Sequence, residues 1–152
     1  MAADDAAENL ALVLMRNGLQ KAPARVLAAF LFAEEESVTA TDLGERLGMN
    51  SGSVSTAITM LRTVALIERA PAPGSRREHY RLREHAWATL MSGQNAVVQA
   101  MLDAAEDGIA ATGDDSPAHR RLTEMRDFYA FVFRELPDLI DRWKAERTAG
   151  RG

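Results

Sequence analysis

Apolar residues recur at helical spacing along most of this chain, and two short stretches alternate as strands do. Residues 7–19 carry Leu10, Leu12, Val13, Leu14 and Met15 on nearly every side, which predicts a helix buried broadly. Pro23 sits where a second helix begins, since a first-turn residue needs no amide donor; that helix runs through Val26, Leu27, Phe30 and Leu31 to Glu34-Glu35-Glu36. After the β-prone Ser37-Val38-Thr39, the pair Thr39 and Asp42 predicts a capped third helix through Leu43 and Leu47, ended by Gly48. Asn50-Ser51 opens a fourth helix to about Val64, with Val54, Ile58 and Leu61 facing inward.

Leu66 to Ala70 and Glu78 to Leu82 predict two strands, joined by the turn-forming Pro71-Ala72-Pro73-Gly74-Ser75. A fifth helix follows, with Trp87, Leu90, Met91, Val97, Val98, Met101, Leu102 and Ile109 in register. Gly113 to Pro117 breaks the chain, and Asp115 or Ser116 caps a sixth helix. Its residues Leu122, Met125, Tyr129, Val132, Leu136, Leu139 and Trp143 step by threes and fours, a coiled-coil-like seam. Pro137 lies inside this seam and predicts a kink, or a restart near Glu135. Residues 148–152 are expected to fray. The fold class is therefore mainly α with a small β-hairpin wing. The order helix, helix, strand, helix, helix, hairpin is that of a winged helix-turn-helix, expected over 21–83. The apolar stripe of the flanking helices is too long for that domain to cover, so 1–20 is expected to be an N-terminal dimerisation helix and 84–147 C-terminal dimerisation helices.

Charge sharpens this picture. The 152 residues carry a net charge of −4, which argues against a nucleic-acid partner until its distribution is read. Residues 1–61 carry −4 and residues 84–152 another −4, whereas 62–83 carry +4 through Arg62, Arg69, Arg76, Arg77, Arg81 and Arg83. A basic hairpin inside an acidic protein is either a solvated surface element or a rail for phosphates. A Ser-rich helix start alone can be a matter of capping, but the helix and the hairpin together point to the second. Asn50, Ser51, Gly52, Ser53, Ser55, Thr56, Thr59 and Arg62 remain outward once the apolar positions face the core. Small hydroxyls and a glycine let a helix approach a sugar-phosphate backbone closely, while Ser55 or Thr59 can reach a base edge or thymine methyl. Ser75, Arg76 and Arg77 at the hairpin tip complete a candidate DNA interface.

Other chemistries lack their signatures. With no cysteine there is neither a disulfide nor thiolate catalysis. His79, His85 and His119 lack metal-ligand spacing, and no metal or other cofactor is expected. No phosphate loop, nucleophile elbow or paired-carboxylate motif is present, so the chain is not read as an enzyme. The apolar run from Leu10 to Met15 is far short of a membrane span of about 20 residues, and the acidic start (Asp4, Asp5, Glu8) is unlike a signal peptide. A cytoplasmic protein with no membrane partner is expected.

Three stretches, "VTATDLGERLGMNSGSVSTAITMLRTVALIERAPAPGSRREHYRLREHAW", the apolar first helix and "RLTEMRDFYAFVFRELPDLI", together resemble the MarR-type transcriptional regulators, and within them the GbsR-like branch. Actinobacterial members look especially similar, and sixteen arginines against two lysines suit a GC-rich genome. The resemblance implies an obligate homodimer reading a near-palindromic operator, with the first, fifth and sixth helices as interface. Leu10, Leu14, Leu122, Met125, Tyr129, Val132, Leu136, Leu139 and Trp143 are the interface candidates. It also implies a repressor relieved by a small lipophilic effector; Met15, Phe30, Trp87 and Met91 are candidates for that pocket, with core packing as their alternative role. The family's wing usually pairs an acidic residue with an arginine two positions later. Here those positions hold Ser75 and Arg77, so the arginine is kept without its carboxylate. The alternative function is a helical dimerisation or protein-interaction module whose winged domain no longer binds DNA.

Overall fold

The computed structural model describes residues 2–150, which divide into two compact units after Ala86. The first contains α1 (Ala3–Arg16), α2 (Lys21–Phe32), β1 (Val38–Thr39), α3 (Ala40–Leu47), α4 (Ser51–Thr63), β2 (Ile67–Ala70) and β3 (His79–Leu82). α1 and α2 pack through small side chains, with Ala11, Ala24 and Ala28 buried and Leu10, Leu14, Met15 and Leu19 closing around them. α1 thus belongs to the same unit as the winged region. Pro23 falls in the first turn of α2, where its missing donor costs no helical bond. Leu27, Leu43, Leu61, Ile67, Val26, Val38 and Val54 form the fully buried core, drawing one or two residues from each of α2, α3, α4, β1 and β2.

Local chemistry sets the helix ends. The Thr39 hydroxyl accepts from the Asp42 amide at 3.1 Å, and the Asp42 carboxylate accepts from the Thr39 amide at 3.1 Å, a complete capping box. The Thr39 amide, then its hydroxyl, hold the Asp42 carboxyl below its ordinary pKa. Gly48 ends α3 at φ 63°, in the left-handed region. The sheet is antiparallel in the order β1-β3-β2, with Val38 opposite Tyr80 and Ile67 opposite Leu82. Both hairpin strands start one residue later than the apolar alternation predicts, at Ile67 and His79.

Leu66 is displaced from the strand because the chain first closes α4. Ala65 adopts φ 62°, its amide donates to the Arg62 carbonyl, and the Leu66 amide donates to the Leu61 carbonyl, each at 3.0 Å. A left-handed alanine costs about 1–2 kcal/mol, and glycine regains most of this minus its greater unfolded-state entropy. Ala65→Gly is therefore expected to raise unfolding stability by about 0.5–1 kcal/mol. A lower urea midpoint at unchanged m-value would contradict this account.

The second unit consists of α5 (Ala86–Ala110), begun at the boundary, and α6 (Pro117–Ala149). The two helices run antiparallel. Ala88 meets Leu136 and Ile140 near one end, with Val132 packed against them, while Leu122 lies over Gly108 near the other. Ser116, not Asp115, caps α6, accepting from the His119 amide at 3.0 Å. α6 passes through Pro137 without the restart predicted near Glu135, because Leu136 and Ile140 on either side are anchored in the same buried cluster. It also runs on to Ala149, into the segment expected to fray; Arg151 and Gly152 lie outside the described residues. No helix among the described residues is long and apolar enough to cross a membrane.

Candidate nucleic-acid interface

The interface candidate lies wholly within the first unit, on α4 and the β2–β3 wing. α4 is oriented by Val54, Ala57, Ile58 and Leu61, which bury one face. The opposite face exposes Ser51, Gly52, Ser55, Thr56, Thr59, Arg62 and Thr63, with Ser53 half-buried. Asn50 precedes the helix and caps it, its Oδ1 accepting from the Ser53 amide at 2.8 Å. That bond occupies one of the four free N-terminal amides and leaves the amides of Ser51 and Gly52 outward of it. The Thr59 hydroxyl donates to the Ser55 carbonyl at 3.0 Å, and that of Thr63 to the Thr59 carbonyl at 2.8 Å. Thr59 therefore offers a groove its methyl group and an acceptor lone pair, while Ser55 and Thr56 keep their hydroxyls for other partners.

The six arginines of segment 62–83 are treated unequally. Arg69 pairs with Glu78 at 2.6 Å and Arg81 faces Glu68 across the ladder at 3.7 Å, so both charges on the stem are matched. Arg62 lies over the Tyr80 ring, 5.9 Å from its centroid. Tyr80 is itself buried and donates to Glu78 at 2.7 Å; burial, then that carboxylate, raise its phenol pKa. Arg76, Arg77 and Arg83 have no carboxylate within ion-pairing distance among the described residues, and all three are exposed. The arginines within the β2–β3 ladder are thus matched in charge, while Arg76 and Arg77 leave the tip cationic.

That tip is held by hydroxyls. Ser75 stands where the resembling family usually has an acid, and its Oγ accepts from the Arg77 amide at 3.2 Å. The same Oγ is 3.2 Å from His79 Nε2, and His79 Nδ1 is 3.2 Å from Ser37 Oγ. No local pattern signals this connection, since Ser37 and His79 are 42 residues apart. It passed unseen in the sequence.

The remaining candidates are dispersed. Leu10 and Leu14 pack beside the alanine cluster of the first unit, and Val132 and Leu136 beside Ala88 in the second. Leu122 rests on Gly108, and Met125 and Tyr129 are half-buried. Large apolar side chains nonetheless stay exposed on α6: Phe128 at 61%, Phe131 and Leu139 at 54%, Trp143 at 42%. Of the pocket candidates, Met15 and Phe30 lie in the first unit. Trp87 and Met91 in the second line an apolar cavity of about 300 Å³ with Ala88, Leu139, Ile140 and Trp143. No group of His, Asp or Glu able to hold a metal ion occurs among the described residues.

Comparison with known proteins gives a consistent result. A family model described as an MmpR5-like MarR family transcriptional regulator matches residues 85–146, and a MarR family model matches residues 17–78. The chain is 34% identical over 134 residues to the HTH-type transcriptional regulator MmpR5 of Mycobacterium tuberculosis, covering 86% of this chain and 79% of that protein. The crystal structure of a transcriptional regulator superposes with a TM-score of 0.78 at 29% identity, covering 94% of this chain and 98% of that one. A MarR variant from E. coli complexed with operator DNA matches with a TM-score of 0.43 at 19% identity, over 90% of this chain and 87% of its own.

Proposed function

The chain belongs to the MarR family of transcriptional regulators, and from that premise we propose that it is a homodimeric, sequence-specific DNA-binding repressor. One observation carries the proposal: two arginines without carboxylate partners on an exposed wing tip, in the same unit as an exposed helix face that presents the Ser55 and Thr56 hydroxyls. α4 enters the major groove, where Ser55, Thr56 and Thr59 meet base edges while Asn50, Ser51, Gly52, Ser53 and Arg62 lie near the backbone. Arg76 and Arg77, carried by the turn at Ser75, grip phosphates or a narrow minor groove.

In this reading residues 21–83 are the DNA-binding part. Residues 1–20 and 84–147 supply the dimer contacts, with Leu139, Trp143 and their exposed neighbours covered by the second copy. The operator is near-palindromic, as a two-fold dimer requires. The apolar cavity beside Trp87 and Met91 takes a small lipophilic effector that relieves repression. The protein works in the cytoplasm and needs no cofactor. Its place within the family is the GbsR-like branch.

A salt titration with random duplex DNA tests the central claim. Each phosphate neutralised contributes about −0.9 to the slope of log affinity against log salt, and two wings with two α4 helices are expected to engage several. A flat dependence would transfer the winged domain to the protein-interaction reading.

A further inference from the structure

The wing tip is an eight-residue connection, 71–78, between the paired ends Ala70 and His79, and nearly all of it is exposed. Its internal turn is slight: the Ser75 amide donates to the Ala72 carbonyl at 3.1 Å, next to Gly74 at φ 82°. Such a loop, left to itself, samples many arrangements, and an arginine on it pays that disorder whenever it binds. Three contacts remove the freedom. Ser75 Oγ accepts from the Arg77 amide, the same oxygen lies within hydrogen-bond reach of His79 Nε2, and His79 Nδ1 reaches Ser37 Oγ. Ser37 directly precedes β1, whose Thr39 is paired with His79. The chain of contacts therefore runs from the tip across to the edge strand β1.

We propose that His79 is a positioning residue for Arg77: its imidazole links the serine that holds the Arg77 backbone to Ser37 beside the edge strand β1, and so fixes the wing tip before DNA arrives. Either neutral tautomer works, because each serine hydroxyl donates to an unprotonated ring nitrogen or accepts from a protonated one. This proposal rests on the DNA-binding reading for its consequence, but not for its geometry.

The test has two arms, using the full chain with His79→Phe, Ser75→Ala and Ser75→Thr. In the free protein, the NMR order parameter of the Arg77 amide is expected near the rigid value of about 0.85 in the parent and in Ser75→Thr, which keeps the hydroxyl. His79→Phe and Ser75→Ala are expected to bring it below about 0.6, with β2–β3 amides unchanged. In the second arm, His79→Phe weakens binding to random duplex by about threefold to tenfold, and adds nothing in an Arg77→Ala background. An unchanged order parameter in His79→Phe overturns the proposal, as does an equal loss of affinity with and without Arg77. A parent protein that leaves DNA unbound overturns the functional reading alone, because the order parameters still decide the positioning role.

Discussion

Arg77→Ala is expected to weaken binding to operator and to random duplex alike, by about 10- to 100-fold. A hydrogen bond to a charged group is worth about 1.5–3 kcal/mol, and a two-fold dimer loses it at both wings, offset by what Arg76 retains. The salt slope should fall in step, by about 0.9 for each phosphate contact removed. Changes on α4 should behave differently. Ser55→Ala and Thr56→Ala are expected to narrow the gap between operator and random DNA by about 1–3 kcal/mol, with little effect on the random duplex, because only base contacts carry sequence information. Thr59→Val should be milder than either, since the Thr59 hydroxyl proton already serves the Ser55 carbonyl and the methyl is preserved. Competition assays with both duplexes decide the matter. An Arg77→Ala protein with undiminished random-duplex binding would remove the wing from the interface.

Leu139→Glu is expected to convert a stable dimer into monomers at micromolar concentration. Leu139 is 54% exposed in the single chain, so a carboxylate there leaves the protomer's own core intact and its helical circular dichroism unchanged. In a dimer the same position is desolvated twice, once from each copy. An uncompensated buried charge costs about 3–5 kcal/mol, so two of them raise the dissociation constant by at least about 10⁴-fold. DNA affinity should collapse with it, because one winged unit alone forms half the contacts. Sedimentation equilibrium gives the result directly. A Leu139→Glu protein that stays dimeric would place the interface on another face of α6 or on α5.

Much of this architecture was readable one residue at a time. The Thr39–Asp42 box, the left-handed Gly48 and the Asn50 cap are local devices, and local rules find them. The division of α4 into a buried and an open face follows from Val54, Ile58 and Leu61 alone. What escaped was non-local. The three–four seam of α6 announces an apolar stripe without saying what covers it, and within one chain Ala88 claims Leu136 and Ile140 while Leu139 is left open. Pro137 breaks an isolated helix, yet here packing on both sides carries α6 past it. The pairing of β1 with β3, and the His79 link that depends on it, joins residues too distant for any spacing rule.

The matching of the ladder arginines beneath the cationic tip also bears on how quickly DNA is found. With Arg69 and Arg81 matched to glutamates, the unmatched charge of segment 62–83 rests on Arg62, Arg76, Arg77 and Arg83, while the segments before and after it in sequence are net acidic. In the DNA-binding reading, a duplex approaching this basic segment is drawn in, which orients encounters before contact. Association should therefore run above the unsteered range of about 10⁵–10⁶ M⁻¹s⁻¹ at low ionic strength and fall towards it as the screening length shrinks below the size of the acidic body. Glu68 and Glu78, which match the ladder arginines, would then act on the search itself: Glu68→Gln and Glu78→Gln broaden the attractive surface and admit misoriented encounters that must dissociate before a productive one begins.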